Sequence, residues 1–183
     1  KSNTVTNNAN GIALDMASGN FVTSNAVSAN AFYGIALAGA LNNTIDLNAV
    51  IGNGLDAIAL DNASAVGGDT TTGSTGNLIK GNTISSSRDG IFLGENCDNN
   101  QVTGGNALTN IASIGVNAWR SDGHTITGNA IHGAATGVRL LGSSNNTITG
   151  NALTVNDMGI KVDASWQVGV WYQSLNNTIS GND

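Results

Sequence analysis

The chain has 183 residues, with 25 Gly, 28 Asn, no Pro and a single cysteine, and 40% hydrophobic content beside only 10% charged and 4% aromatic residues. That is enough apolar material for one core of Ile, Leu, Val and Ala, and it is too regularly placed for intrinsic disorder. A net charge of −6 argues against nucleic acid and anionic membrane surfaces as partners, no apolar run approaches a membrane span, and the lone Cys97 excludes an internal disulfide or a Cys-based zinc site.

From the first residues onward one unit recurs. It reads Asn-x-(Ile/Val)-(Thr/Ser)-x-Asn-x-(Ile/Leu/Val), a short polar stretch, then Gly-Ile-x-Leu. Its opening Asn falls at Asn3, Asn20, Asn43, Asn77 and Asn100, is replaced by His124, and returns at Asn146 and Asn177. The spacings are 17, 23, 34, 23, 24, 22 and 31, so the base period is 22 to 24 residues. The 17 reads as a shortened first coil, and the 34 and 31 read as one repeat plus an insertion each.

Within the unit, apolar residues alternate with polar or small ones, as in Thr147-Ile148-Thr149 and Gly159-Ile160-Lys161-Val162. That is the period of a strand, and no segment carries a helical stripe. Three such short strands cannot bury anything alone. Stacked coil on coil at ~4.8 Å they can, because equivalent side chains then form columns. One predicted column is Val5, Val22, Ile45, Ile79, Val102, Ile126, Ile148, Ile179. A second is Ile12, Ile35, Ile58, Ile91, Val116, Val138, Ile160. A third is Leu14, Leu37, Leu60, Leu93, Ala118, Leu140, Val162.

A column of amides follows in the same way: Asn8, Asn25, Asn48, Asn82, Asn106, Asn129, Asn151, Asn182. Asn tolerates the left-handed backbone of a sharp corner, and stacked amides hydrogen-bond along the stack. The expected fold is all-β: a right-handed parallel β-helix of about 7 coils of 22–24 residues, three short strands per coil, forming a single domain over 1–183. The first and last residues share one repeat phase without a cap. The chain therefore reads as a piece of a longer solenoid, or as a unit whose copies associate head to tail.

Asn146-Thr147-Ile148-Thr149-Gly150-Asn151 and Gly90-Ile91-Phe92-Leu93 resemble the parallel β-helix repeats of carbohydrate-active proteins. The chain is similar to the pectate-lyase-like group and to the NosD/CASH type of repeat, mannuronan C5-epimerase-like modules included. The resemblance implies an extracellular or cell-surface protein with a polysaccharide partner. It leaves open whether the chain is an enzyme, in which case lyase or C5-epimerase chemistry follows, or a structural solenoid such as an adhesin stalk, surface-layer or filament subunit.

Function must lie at outward positions and insertions. The outward residue of Gly-Ile-x-Leu is, up the stack, Ala13, Ala36, Ala59, Phe92, Asn117, Arg139 and Lys161. Both insertions follow this strand. The first, 61–76, is rich in Gly, Ser and Thr; the second, 163–176, holds Trp166, Trp171 and Tyr172, and Trp119 occupies the matching position between them. The predicted groove thus has Phe92, Asn117, Trp119, Trp166, Trp171 and Tyr172 to stack on and hydrogen-bond sugars. Arg139 and Lys161 would neutralise uronate carboxylates, and Asp163 is the acid–base candidate beside Asp61, Asp89 and Asp122. Trp166, Trp171 and Tyr172 have an equal reading as residues that cap the core.

No metal ligand set is assigned. The one metal brought into view is Ca²⁺, at Asp61 with Asp89, at Asp157 with Asp163, or at the turn Glu95-Asn96-Cys97-Asp98.

Overall fold

The computed structural model describes residues 1–63 and 71–183. The chain winds as a right-handed parallel solenoid of about seven coils, and each coil lays one short strand in each of three parallel sheets. The first sheet runs from Thr4–Thr6 to Ala152–Thr154, the second from Ile12–Asp15 to Met158–Asp163, and the third from Phe21–Thr23 to Thr178–Ser180. The described residues contain no helix.

Strand register makes the columns. In the second sheet Ile91 pairs with Ile58 below and Val116 above, and Val116 with Val138. The two columns predicted from Ile12 and Leu14 are in register throughout. Their members from Ile35 to Leu140 form one core with the inward residues of the other two sheets. Full burial of each such side chain contributes about 1.5–3 kcal/mol.

The first coil differs from expectation. Val5 pairs with Val27 in the first sheet, and not with Val22, which pairs with Ile45 in the third. Asn3 likewise stacks under Asn25, 22 residues on, and Asn8 under Asn30. There is no shortened coil; the chain starts at a different corner. Each turn has two corners that read Asn-x-apolar, and a single opening copy fits either.

The corners obey a simple rule. A ladder residue faces inward, and the residue before it takes the left-handed backbone. Asn42, Asn99, Asn145 and Asn176 have φ of 54–59° and precede Asn43, Asn100, Asn146 and Asn177. Gly81, Gly128 and Gly150 do the same before Asn82, Asn129 and Asn151, at φ of 61–67°. The ladder asparagines are therefore not kept for backbone tolerance. They are kept for their amides, because every polar atom of the amide is used. Asn48 donates Nδ2–H to Asn82 Oδ1 (3.0 Å) and to the Val22 carbonyl (2.9 Å). Its Oδ1 accepts from the backbone N–H and the Nδ2 of Asn25, both at 2.9 Å.

A further inward column was not foreseen. Where the second sheet hands over to the third, the residues are Ala40, Ser74, Cys97, Ser121, Ser143 and Ser174. Backbone N–H groups donate upward to Ser74 Oγ, Cys97 Sγ, Ser143 Oγ and Ser174 Oγ at 3.0–3.3 Å. Cys97 stands in for a serine here. Burial, the largest effect, pushes its thiol up to about 12, so it is inert as a nucleophile.

Candidate functional site

The outward column of the second sheet is in register from Ala13 through Ala36, Ala59, Phe92, Asn117 and Arg139 to Lys161. Residues two positions later form a parallel rim that includes Asp15, Ala38 and Asp61 in the lower coils and Trp119, Leu141 and Asp163 in the upper ones. Asp61 and Asp163 begin the two insertions, as expected. The chain returns to the core in both cases at a serine. Ser74 Oγ–H donates to the Asp61 carbonyl (2.9 Å) and Ser174 Oγ–H to the Asp163 carbonyl (2.7 Å), so each insertion is tied at its base. Part of the first insertion, 64–70, lies outside the described residues.

The second insertion folds as an antiparallel hairpin of Ser165–Gln167 and Val170–Tyr172, with Trp166 directly opposite Trp171. These two tryptophans are 59% and 66% exposed, so they face solvent and do not cap the core. Tyr172 behaves differently. The guanidinium of Arg120 lies over its ring at 4.2 Å, and over the Trp119 ring at 5.1 Å. Arg120 is buried, ion-pairs with Glu95, and leaves its Nε and Nη1 without a hydrogen-bond partner. The cation is held by aromatic faces, and it clamps the hairpin to the stack.

Trp119 also stacks on Phe92, with ring centroids 6.3 Å apart and planes inclined by 30°. Asn117 turns away from the aromatic rim. It is buried, and its Nδ2–H donates at 2.9 Å to Oδ2 of Asp89, which precedes the neighbouring strand Ile91–Leu93. Higher up, Arg139 and Lys161 both reach Asp163, at 3.2 and 3.0 Å. Slight burial pulls the Asp163 carboxyl upward, but the hydrogen bonds and charges of Lys161 and Arg139 hold it below its ordinary value. It therefore stays ionised and is a weak base. Two cations share one carboxylate, which leaves one positive charge over.

Below Phe92 lies a feature the sequence reading passed over. Ala13, Ala36 and Ala59 floor a trough of about 260 Å³. Asn10 and Tyr33 line one side, and Asp15, Ala38 and Asp61 the other. Burial, then the charges of the buried Asp56 and of Asp61, push the Tyr33 phenol above its ordinary range. Asp56 itself is bound bidentately by Arg88, Nε to Oδ1 at 3.1 Å and Nη2 to Oδ2 at 2.9 Å. Alanines seemed uninformative as a column; their small size is what opens the trough.

Other expected residues are not brought together. Asp61 closes the strand Ile58–Asp61 while Asp89 precedes the neighbouring strand Ile91–Leu93, so they sit at opposite strand ends, and among the described residues no three His, Cys, Asp or Glu side chains cluster. Ser121 and His124 do touch, Oγ to Nε2 at 2.9 Å, but both are buried and the hydroxyl donates to the Leu93 carbonyl. That pair is part of a corner and has no access to substrate.

The family model of NosD, described as periplasmic copper-binding protein, matches residues 1–75 and 67–183. Among solved structures, the chain is similar to the periplasmic alginate epimerase AlgG at 19% identity and a TM-score of 0.73, over 97% of this chain and 44% of that one. It is similar to the A-module of the Azotobacter vinelandii mannuronan C-5 epimerase AlgE6 at 17% identity and a TM-score of 0.65, over 90% and 51%. It is also similar to the Dettilon tailspike protein gp208 at 20% identity and a TM-score of 0.57, over 78% and 30%. At these identities the likeness is one of fold, and the chain spans about half or less of each of these proteins. Comparison with curated proteins gives no match.

Proposed function

The chain belongs to the NosD family of parallel β-helix proteins, and from that premise we propose that it is an envelope or extracellular solenoid that holds an acidic polysaccharide along the outer face of its second sheet. The observation that carries this reading is the joining of an aromatic platform to an unbalanced cationic cluster. Phe92 and Trp119 offer stacked faces, Trp166 and Trp171 stand exposed on the hairpin, and Arg139 and Lys161 share Asp163 alone. A sugar carboxylate arriving there completes the neutralisation and accepts charge-assisted hydrogen bonds. The substrates printed in the names of the alginate and mannuronan epimerases support a polysaccharide ligand.

In the finer form of the proposal the chain also acts on its ligand as a uronate lyase or C5-epimerase. Arg139 and Lys161 then acidify the proton beside the neutralised carboxylate. A separate base is required, because Lys161 and Arg139 hold the Asp163 carboxyl below its ordinary value and so make it a weak base. The test is incubation with alginate and with pectin, read by absorbance of the unsaturated product, by NMR of the sugar and by binding calorimetry. Product formation supports catalysis; binding without turnover leaves a binding module; neither binding nor turnover with these or with gellan, an acidic polysaccharide of mixed sugars, overturns the proposal.

Copper, named in the family's description, finds no matching donor set among the described residues of this chain. The soft donors are Cys97, His124, His132, Met16 and Met158. Cys97 is buried and serves the serine column. His124 spends both ring nitrogens, Nδ1 on the Asn100 N–H and Nε2 on Ser121. Met16 and Met158 belong to the first and last coils. These residues do not fit a shared copper centre, and calcium stays an expectation without an assigned ligand set.

A structural solenoid is the second reading. On the last coil Val162 and Ile179 are 42% and 44% exposed, although their column partners Leu140 and Ile148 are fully buried. In that reading copies stack head to tail over these side chains. Electron microscopy of concentrated protein tests this, with fibres expected and discrete monomers counting against it.

A further inference from the structure

The platform and the trough share one column, so a glycan lying along the axis over the platform continues into the trough. The two ends of that track differ in charge. The upper end carries Arg139 and Lys161 against a single carboxylate. The lower end carries Asp15 and Asp61, both exposed and both on the trough wall. The chain has six Lys and Arg, and five of them are engaged elsewhere: Lys80 with Asp46, Arg88 with Asp56, Arg120 with Glu95, and Arg139 and Lys161 with Asp163. Among the described residues no ion pair neutralises Asp15 or Asp61.

Register fixes the geometry. Asp15 and Asp61 stand in one column with Ala38 between them, two coils apart, which is ~10 Å. From Ala36 to Arg139 is four coils, or ~19 Å. A uronate seated in the trough would bring its carboxylate against two uncompensated carboxylates across an alanine floor that offers no donor. A neutral sugar fits instead. Its ring lies on the methyls of Ala13, Ala36 and Ala59, and its hydroxyls donate to Asp15 and Asp61 and exchange hydrogen bonds with Tyr33 and Asn10.

We propose that the ligand is a heteropolysaccharide whose uronates are spaced by several uncharged sugars, with a uronate at the Arg139–Lys161 platform and uncharged residues in the alanine-floored trough. This rests on the polysaccharide reading above and narrows its substrate class from polyuronates to mixed chains. The trough is a selectivity element that disfavours homopolymers of uronate.

The test compares binding of two oligosaccharide sets of equal length, long enough to span both regions. One is oligogalacturonate or oligomannuronate. The other is a deacylated gellan fragment, a linear chain in which each glucuronate is separated from the next by several neutral sugars. Calorimetry should give tighter binding of the gellan fragment. The double variant Asp15→Asn/Asp61→Asn should raise affinity for the homopolyuronates by about fivefold at low salt, with the gain fading as salt rises. Both changes are at exposed positions, and circular dichroism confirms that the fold is kept. Homopolyuronates that bind as tightly as gellan to the unmodified protein and do not respond to the double variant would overturn this inference while leaving the polysaccharide reading standing. Absence of binding to every glycan would overturn both.

Discussion

The amide corners and the outer face of the second sheet are products of the same stacking, yet they carry opposite kinds of sequence. At a corner each ladder residue is wedged between its equivalents above and below. A change there strands polar groups in the coils on both sides. On the outer face the neighbour that matters is solvent, and the same register lets one column run from Ala59 to Phe92, Asn117, Arg139 and Lys161 in successive coils. Stacking enforces repetition where groups are buried and permits divergence where they are not. The repeat therefore announces the fold, and departures from it mark the site.

The largest expected effect comes from breaking a corner. Asn82→Ala removes the acceptor of the Asn48 N–H and Nδ2 and the donor to the Ile45 carbonyl, bonds of 2.9, 3.0 and 2.9 Å inside the core. Buried groups left without partners cost about 1–3 kcal/mol each. The variant should lose roughly 3 kcal/mol or more in urea unfolding. The outer-face change Asp15→Asn should stay within about 0.5 kcal/mol. Similar losses for both would refute the contrast.

Nature has already placed one exception in a corner. His124 occupies an asparagine position, accepts the Asn100 N–H at Nδ1 and faces Ser121 at Nε2. Burial lowers its pKa to about 4, against about 6.5 in the unfolded chain. The unfolded state then binds more protons between those values, so stability rises with pH across that window and is flat above it. The loss on going from pH 7 to pH 4 should approach roughly 3 kcal/mol. His124→Asn should flatten that slope, read as urea midpoints at several pH values. A slope that persists in the variant would locate the titrating group elsewhere.

The clamp on the hairpin links the two regions. Arg120→Ala takes away the partner of Glu95 and the cation that contacts both Trp119 and Tyr172. Glu95 is partly exposed, which softens the penalty, and about 2 kcal/mol is expected. The hairpin should gain amide exchange ahead of the third sheet. If Trp166 and Trp171 form part of the binding platform, glycan affinity should fall with it, although Arg120 itself touches no ligand.

The columns from Ile12 and Leu14 were legible because each member sits one period from the next, and each member of the Ile12 column follows a Gly or Ala that fixes the phase. The outward column came with them, and so did the nearness of Phe92, Trp119, Arg139 and Lys161. Val5 and Asn8 were misplaced because a coil has two look-alike corners. The serine column escaped notice because Ala, Ser and Cys do not resemble one another as letters, although they are near isosteres as side chains. The trough was missed for a related reason. Its floor is made of alanine, and its walls come from Asn10, Tyr33, Asp15 and Asp61, which lie outside the Gly-Ile-x-Leu motif. The burial of Arg120 follows from a ring on a hairpin that reaches it only in three dimensions.

The smallest effect tests the corner rule itself. Val155 precedes the ladder residue Asn156 and has φ of 56°. A β-branched residue is strained in that conformation by roughly 1–2 kcal/mol. Its side chain is 77% exposed, so it contributes little packing in return. Glycine relieves the strain at an entropic cost of about 0.5–1 kcal/mol. Val155→Gly should therefore raise stability by about 1 kcal/mol or slightly less. The same substitution at Ile126, an inward residue of the third sheet in a fully buried position, should be strongly destabilising. A neutral or harmful Val155→Gly would mean that the left-handed position is held by something other than the geometry of the turn.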